Sequence, residues 1–292
     1  MNSILSVESL LKSYKFHFWE PRRLLLNNVS LCLKEGEVVG LIGHNGAGKT
    51  TLFKMILGLG FPDSGVIRFS SEMGVEPLEK IGFLPESPYF YTHLTAIESL
   101  RFYSALFNVH NKPDCESDLK KLLLSTGLSE ENHSKALGKF SKGMLQRFGM
   151  AQALVNDPKL IIFDEPMSGL DPGGRRDFRN IIKKLKSDGK TILFSTHLID
   201  DVQRICDRVL LLHNGKIIGN TSIDVKGESA QWLIQYQDDN EVCTSLKFSN
   251  LKELNKFLKS PLFGDKFITH VEKNVGSLEE WIDNMKKQQE GM

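Results

Sequence analysis

The sequence lacks paired cysteines and any apolar run long enough to span a bilayer. Its four cysteines are Cys32, Cys115, Cys206 and Cys243. Their spacing fits neither a zinc site nor a disulfide framework, so we expect buried, reduced thiols. Charged residues interrupt the N-terminal apolar positions too early for a signal peptide. We therefore expect a protein that reaches a membrane only through a partner.

Neither sign of charge is in excess, because 37 lysine and arginine residues stand against 36 aspartate and glutamate residues in a chain of 292. A balanced charge gives no general attraction to nucleic acid or to an anionic membrane surface. We expect no nucleic-acid partner, and any phosphate must be bound at a local site. The length is sufficient for one large domain and a smaller appendage.

Three short, wholly apolar segments predict buried parallel strands, at residues 38–42, 160–163 and 191–194. The polar segments that follow them at once are GHNGAGKTT, DEPMSGLDP and STH. In an open α/β sheet, ligands bind beyond the carboxyl ends of the strands. The predicted fold class is therefore α/β with a mostly parallel sheet, and we expect the three polar segments to meet at one edge.

The segment after the first strand has the pattern of a phosphate-binding loop followed by a helix. Glycines allow successive backbone N–H groups to turn toward one anion, and the helix N-terminus adds partial positive charge. Lys49 would reach the outer phosphates of a nucleotide, and Thr50 would bind Mg²⁺. The predicted nucleotide-binding residues of this segment are Gly43, Asn45, Gly46, Ala47, Gly48, Lys49, Thr50 and Thr51.

Two carboxylates end the second strand, and a histidine ends the third polar segment. Asp164 suits a Mg²⁺ ligand, and Glu165 would polarise a water for in-line attack on the γ-phosphate. His197 would contact the γ-phosphate. Taken alone, the two carboxylates are typical of a solvated strand end, and the histidine is typical of a structural histidine. Their expected meeting beside the loop predicts a site that hydrolyses a nucleoside triphosphate.

Six motifs in one order resemble the ATP-binding subunit of an ABC transporter. They are GHNGAGKTT (43–51), GFLPE (82–86), FSKGMLQR (140–147), KLIIFDEP (159–166), SGLDP (168–172) and STH (195–197). The resemblance covers about residues 5–220 and implies an ABC cassette of the P-loop NTPase fold over residues 1–222. This fold would include an N-terminal antiparallel β region and a helical subdomain over about residues 91–150. The ligands implied are ATP and Mg²⁺.

In this family the serine–glycine signature begins a helix that faces the ATP held by a second subunit. The resemblance therefore implies a head-to-tail dimer, here a homodimer, with Ser141 and Gly143 contacting the γ-phosphate in trans. Asp171 resembles the residue that couples the two sites. ATP binding would close the dimer, and hydrolysis would open it.

Two motifs depart from the family pattern. Glu86 stands where the family usually has a glutamine that senses Mg²⁺ and the attacking water, and glutamate keeps the acceptor but adds charge. The signature 140–144 reads FSKGM in place of Leu-Ser-Gly-Gly-Gln, so the glutamine contact across the interface has no support in this sequence. The SKGM form and the LPE sequence resemble a subfamily of drug- and sodium-efflux exporters, in which six-helix permeases pair with a separate ATPase.

One aromatic residue near the N-terminus would stack on adenine. Tyr14 resembles the family residue at this place, but Phe16, Phe18 or Trp19 could take the role instead. Core packing explains any one of them nearly as well.

The cassette pattern stops at about residue 223. The segments WLIQYQ, VCTSLKF and FITHVEK predict strands, and SNLKELNKFLKS predicts a helix. A capping-box pattern at 277–280 begins a last helix. We expect an α+β accessory domain over residues 223–292, which would steady the dimer, bind a regulator or simply pack.

Together the motifs predict an ATP hydrolase that dimerises around two Mg·ATP and drives separate transmembrane permease subunits, with export favoured. It would be cytoplasmic and peripheral on the cytoplasmic face of the membrane. The rival interpretation is a soluble ABC-type mechanical switch that acts on nucleic acid or ribosomes. The single cassette, the lack of a long coiled-coil insertion and the balanced charge favour the transporter.

Overall fold

The computed structural model describes residues 3–15, 19, 21–107, 115–223, 231–237, 243–248, 267–274 and 278–290. The chain divides into two compact units, 1–221 and 222–292. Phe16, Phe18, the helix predicted over 249–260 and the capping residue Ser277 lie outside the described residues.

Nine strands and six helices precede residue 223 among the described residues. The strands are β1 Ser3–Tyr14, β2 Arg23–Lys34, β3 Val38–Ile42, β4 Ser64–Phe69, β5 Ile81–Leu84, β6 Leu160–Phe163, β7 Thr191–Thr196, β8 Arg208–His213 and β9 Lys216–Ser222. The helices are α1 Lys49–Ile56, α2 Ala96–Leu106, α3 Cys115–Ser125, α4 Lys142–Leu154, α5 Pro172–Ser187 and α6 Ile199–Ile205.

The main sheet has six strands in the order β5-β6-β7-β3-β8-β9, and its first five strands pair in parallel. Every residue of β3, β6 and β7 is buried, as expected for central strands covered on both faces. The predicted α/β class is therefore confirmed. β7 runs two residues further than predicted, because Ser195 and Thr196 continue the pairing with Leu41 and Ile42 of β3.

A second, antiparallel sheet has the order β2-β1-β4. One hydrophobic cluster joins it to the main sheet through α1, and this cluster includes Leu10, Leu33, Phe53, Ile162 and Leu210. All five are almost completely buried. The packing of β2 over α1 and β3 matters for the site, because it brings the N-terminal sheet against the segment that follows β3.

Helices α2, α3 and α4 share a separate hydrophobic cluster that includes Leu100, Leu123, Phe140 and Phe148. α4 begins immediately after Ser141, whose hydroxyl accepts a hydrogen bond from the Met144 backbone N–H at 3.3 Å. Ser141 is thus an ordinary N-cap of its own helix. Nowhere in the described residues is a helix both long enough and apolar enough to cross a membrane.

The second unit contains strands β10 Gln231–Gln237, β11 Cys243–Phe248 and β12 Phe267–Asn274, followed by helix α7 Leu278–Glu290. The strands pair antiparallel in the order β11-β10-β12. The three strands predicted here are confirmed.

The expectation of buried thiols is wrong for Cys32. Cys206 is fully buried, and burial raises the pKa of its thiol well above the usual value. Cys32 is exposed because side chains alternate along β2, and its neighbours Leu31 and Leu33 take the buried face.

Candidate functional site

The segment between β3 and α1 forms a tight loop around its glycines. Gly48 has φ 110, in the left-handed region that favours glycine. A Cβ added at Gly43 would lie 2.6 Å from the Leu212 carbonyl oxygen of β8, so only glycine fits that approach. α1 begins directly afterwards, with Lys49 and Thr50 in its first turn. The loop therefore presents a helix N-terminus at the carboxyl edge of the sheet.

Lys49 is a buried cation at the start of α1, with 6% of its surface exposed. Its Nζ donates a hydrogen bond to the Gly43 carbonyl at 2.6 Å and lies 3.1 Å from Glu165 Oε1. A buried ammonium needs such partners, because removing it from water is costly. These contacts hold the charge beside the loop.

Asp164, at the end of β6, is held by two hydroxyl groups. Thr50 Oγ1 donates to its Oδ2, and Ser195 Oγ donates to its Oδ1, each at 2.6 Å. Only 2% of Asp164 is exposed. The residue therefore connects the first turn of α1 to β7 across the sheet edge.

Glu165 is oriented by three neighbours. Its backbone N–H donates to Ser195 Oγ at 2.8 Å, its Oε2 lies 2.9 Å from His197 Nδ1, and its Oε1 faces Lys49. Its φ of 46° is left-handed, which is uncommon for a residue with a Cβ and is typical of functional positions. His197 thus holds one oxygen of this buried carboxylate, while the other lies in an ion pair with Lys49 and has no hydrogen-bond partner among the described residues.

A cavity of about 370 Å³ lies over this edge. Its lining residues are Arg23, Leu25, His44, Asn45, Gly46, Gly48, Lys49, Thr50, Thr51, Glu86 and Glu165. Glu86, which the sequence predicts to lie at the site, reaches the cavity from the segment that follows β5. Tyr14 is not among the described lining residues, although it pairs with Arg23 across β1 and β2.

Sequence reasoning missed four residues of this region. His44 lies within the loop motif and Ser195 within the STH motif, so their positions in the motifs were available signals. Arg23 and Leu25 carry no local signal, since they reach the cavity only through the packing of β2.

The signature residues lie elsewhere. Ser141, Gly143 and Asp171 line a second cavity of about 310 Å³, which shares no lining residue with the first. Asp171 caps α5 by accepting a hydrogen bond from the Gly174 N–H at 3.0 Å. Met144, in place of the usual glutamine, packs against the cluster of the helical region. Within one chain, the signature is separate from the Lys49 cavity.

We expect Ser195→Ala to lower the free energy of unfolding by about 1–3 kcal/mol, because it leaves the buried Glu165 N–H and Asp164 Oδ1 without their shared partner. Urea unfolding measures the change. Ser125→Ala, which removes an exposed hydroxyl at the end of α3, is the control and should stay within about 0.5 kcal/mol of the unaltered chain. Equal effects of the two substitutions would contradict the prediction.

Comparisons with known proteins show clear relatives. A family model described as "ABC transporter" matches residues 26–168. The uncharacterized ABC transporter ATP-binding protein all4389 of Nostoc sp. is 35% identical, covering 96% of this chain and 93% of its own length. The bacitracin transport ATP-binding protein BcrA of Bacillus licheniformis is 35% identical, covering 82% of this chain and 78% of its own. A solved structure of the ATP-binding cassette MJ0796 is also similar, with a TM-score of 0.66 and 26% identity. It is a dimer in a post-hydrolysis state bound to ADP and Pi, and the match covers 75% of this chain and 98% of MJ0796.

Proposed function

The chain belongs to the ABC transporter ATP-binding proteins and is an ATP-hydrolysing subunit, and we propose that it powers a membrane exporter. The observation that carries the proposal is the meeting of Lys49, Asp164, Glu165 and His197 at one edge of the sheet. A cation, a buried pair of carboxylates and a helix N-terminus together suit binding and in-line hydrolysis of a triphosphate.

Lys49 and the loop backbone would hold the phosphates of ATP. The N–H groups at the start of α1 point toward an anion placed there, and the ammonium of Lys49 adds a charge-assisted hydrogen bond. The contacting loop residues would be those of 43–51 that line the cavity; Gly43 and Ala47 of the same loop are not among its described lining residues.

The oxygen atoms in the site fit Mg²⁺. Among the described residues, no group of three or more histidine, cysteine or carboxylate side chains could hold a metal. Mg²⁺ usually takes only one or two protein oxygens and completes its shell with phosphate and water. Thr50 Oγ1 and Asp164 Oδ2 are two such hard donors, and Glu86 lines the same cavity. When bound, Mg²⁺ would neutralise charge on the outer phosphates.

Glu165 would take the proton of the attacking water. One of its carboxylate oxygens is held by His197 and the other faces Lys49, so its basic group has a defined direction. Because the His197 side chain is about half exposed, its ring also has room to contact the γ-phosphate. His197 would therefore orient both the base and the phosphate.

The signature would act on the ATP of a second subunit. Ser141 and Gly143 line a cavity that the Lys49 site does not share, so one ATP can contact both only if two chains face each other. The exposed N-cap Ser141 suits such a contact, and Asp171 lies on the same cavity. A head-to-tail homodimer satisfies this geometry.

We assign residues 1–222 to the cassette, about 91–150 to its helical subdomain and 223–292 to an accessory domain. An exposed aromatic surface that follows Glu86 along the chain suits a permease partner. Tyr89, Tyr91 and Phe102 are 87%, 47% and 43% exposed, and the ring centroids of Tyr91 and Phe102 lie 5.9 Å apart. Contiguous exposed apolar surface is typical of interaction sites, and the adjacent rings of Tyr91 and Phe102 would contribute to such a surface. The chain would sit on the cytoplasmic face of the membrane through this partner, with Mg·ATP bound.

Export is the direction we propose. The SKGM signature supports this direction, and the similarity to the bacitracin transport ATP-binding protein BcrA supports a role in transport. No cargo is assigned, since the permease would select it.

The test uses a tagged Glu165→Gln chain expressed in its native cell. Membranes are solubilised gently with Mg·ATP, and copurifying proteins are identified by mass spectrometry. We expect a multi-span membrane protein in stoichiometric amount, and its loss when Lys49→Ala is added. Recovery of the chain with ribosomes or nucleic acid and without a multi-span protein would contradict the proposal.

A further inference from the structure

The segment that carries His197 leads directly into α6, a helix that cannot hold its own position. Leu198 is the N-cap residue, and no side chain caps the first turn. α6 has seven residues, and a helix of that length is not stable by itself in water. The place of His197 therefore depends on how α6 is held against the rest of the molecule.

Apolar packing holds the second half of α6. Val202 and Ile205 are almost completely buried, and a Cβ added at Gly40 of β3 would lie 3.1 Å from Val202 Cγ1. The first turn, which is nearest to His197 along the chain, has only one buried side chain, that of Asp201. A charged residue thus takes the place that an apolar anchor would have in this turn.

Asp201 is held by Arg179 of α5. Arg179 Nη1 donates a hydrogen bond to Asp201 Oδ1 at 2.5 Å and lies 3.9 Å from Asp200 Oδ2. Only 2% of Asp201 is exposed, and its Oδ2 has no hydrogen-bond partner among the described residues. Because a buried carboxylate is costly without a cation beside it, this ion pair determines where the first turn of α6 lies.

Arg179 belongs to a helix that is itself packed against the strand before Glu165. The side chain of the neighbouring Phe178 is buried, and its ring meets that of Phe163 edge to face, with the centroids 5.7 Å apart. Phe163 ends β6, two residues before Glu165. The contact between His197 and Glu165 therefore joins two segments that α5 also connects.

We propose that Arg179 is a positioning residue for ATP hydrolysis, because its ion pair with Asp201 holds α6, and with it His197, in place against Glu165. This inference rests on the proposed function, in which His197 orients Glu165 and the γ-phosphate. Neither Arg179 nor Asp201 is among the described lining residues of the two cavities. Their effect is therefore on turnover and not on the binding of ATP.

The experiment measures steady-state ATP hydrolysis by the full chain. Arg179→Met keeps the aliphatic stem and removes the guanidinium, and it should lower kcat about 10- to 100-fold, the scale of a small displacement of a catalytic group. KM for ATP should stay within about twofold, since no contact with ATP is lost. Arg204→Met is the matched control, because it breaks an exposed ion pair on the same helix. It should leave kcat and KM unchanged.

Two further variants separate positioning from general damage. In a His197→Ala chain, Arg179→Met should lower kcat by less than about twofold more, because a residue that acts through His197 then has nothing to position. Arg179→Met combined with Asp201→Leu removes the whole ion pair and leaves no unpaired charge in the interior, so this chain should fold. Its kcat should fall as far as that of Arg179→Met alone.

A normal kcat in Arg179→Met, or in the folded chain without the ion pair, would overturn the proposal and leave the role of His197 intact. An equally large loss in the His197→Ala chain would also overturn it, since Arg179 would then act by another route. A raised KM with unchanged kcat would assign Arg179 to ATP binding instead. A normal kcat in His197→Ala would remove His197 from the proposed function, and the role of Arg179 with it.

Discussion

Replacing Glu165 with glutamine should lower ATP turnover by about 10²–10⁴-fold, the usual contribution of a positioned general base, while ATP still binds. Glutamine has nearly the same shape and can still bond to His197, but it cannot accept a proton from water. ATP then stays intact between the two subunits. The variant should therefore accumulate as an ATP-bound dimer, which light scattering after size exclusion measures beside a phosphate-release assay.

The matched control for this prediction is Glu76→Gln, because Glu76 is exposed and lines neither cavity. It should hydrolyse ATP at the normal rate. Near-normal turnover in Glu165→Gln would remove Glu165 from the role of base. Loss of ATP binding in the same variant would show instead that its contact with Lys49 holds the site together.

Replacing Ser141 with arginine should abolish ATP-driven dimerisation and reduce turnover by at least about 10²-fold, as expected when transition-state donors are removed. The arginine removes the N-cap of α4 and puts a long side chain where, in the proposed dimer, the partner's phosphate would approach the helix. Binding of ATP to the single chain should persist, because Ser141 does not line the Lys49 cavity.

Dimerisation is best measured in the Glu165→Gln background, in which ATP persists. Ser187→Arg adds the same side chain at the exposed C-terminal end of α5 and should leave dimerisation unchanged. Ser141→Ala separates the two effects of the arginine, since it removes the cap without adding bulk and should only weaken the dimer. A normal ATP-dependent dimer of Ser141→Arg would count against the trans arrangement.

The apolar runs predicted β3 and β6 to the residue, because neither strand contains a polar side chain that would interrupt the pattern. The end of β7 was predicted too early. Ser195 is polar but completely buried, since its hydroxyl is paired with Asp164 and Glu165. A pattern that equates polar residues with exposed ones cannot find a buried hydroxyl whose partners are about thirty residues away.

Only some of the residues that line the cavity could be predicted from the sequence. The loop residues, Lys49 and Thr50 are contiguous, so their pattern can be read locally. Arg23 and Leu25 line the cavity because the antiparallel sheet packs against the main sheet. No sequence spacing predicts that contact. The roles assigned to the site residues stay predictions until the variants are measured.

The backbone conformation of Glu165 and the contacts of its side chain favour different residues at one position. Its left-handed conformation favours glycine or asparagine, which would relieve a local cost of about 1–3 kcal/mol. Only glutamate, however, combines that position with a carboxylate that reaches both His197 and Lys49. Replacing it by glycine or asparagine would relieve the backbone but leave the buried Lys49 ammonium without its carboxylate partner, so the ion pair between α1 and the end of β6 offsets the strain that this backbone carries.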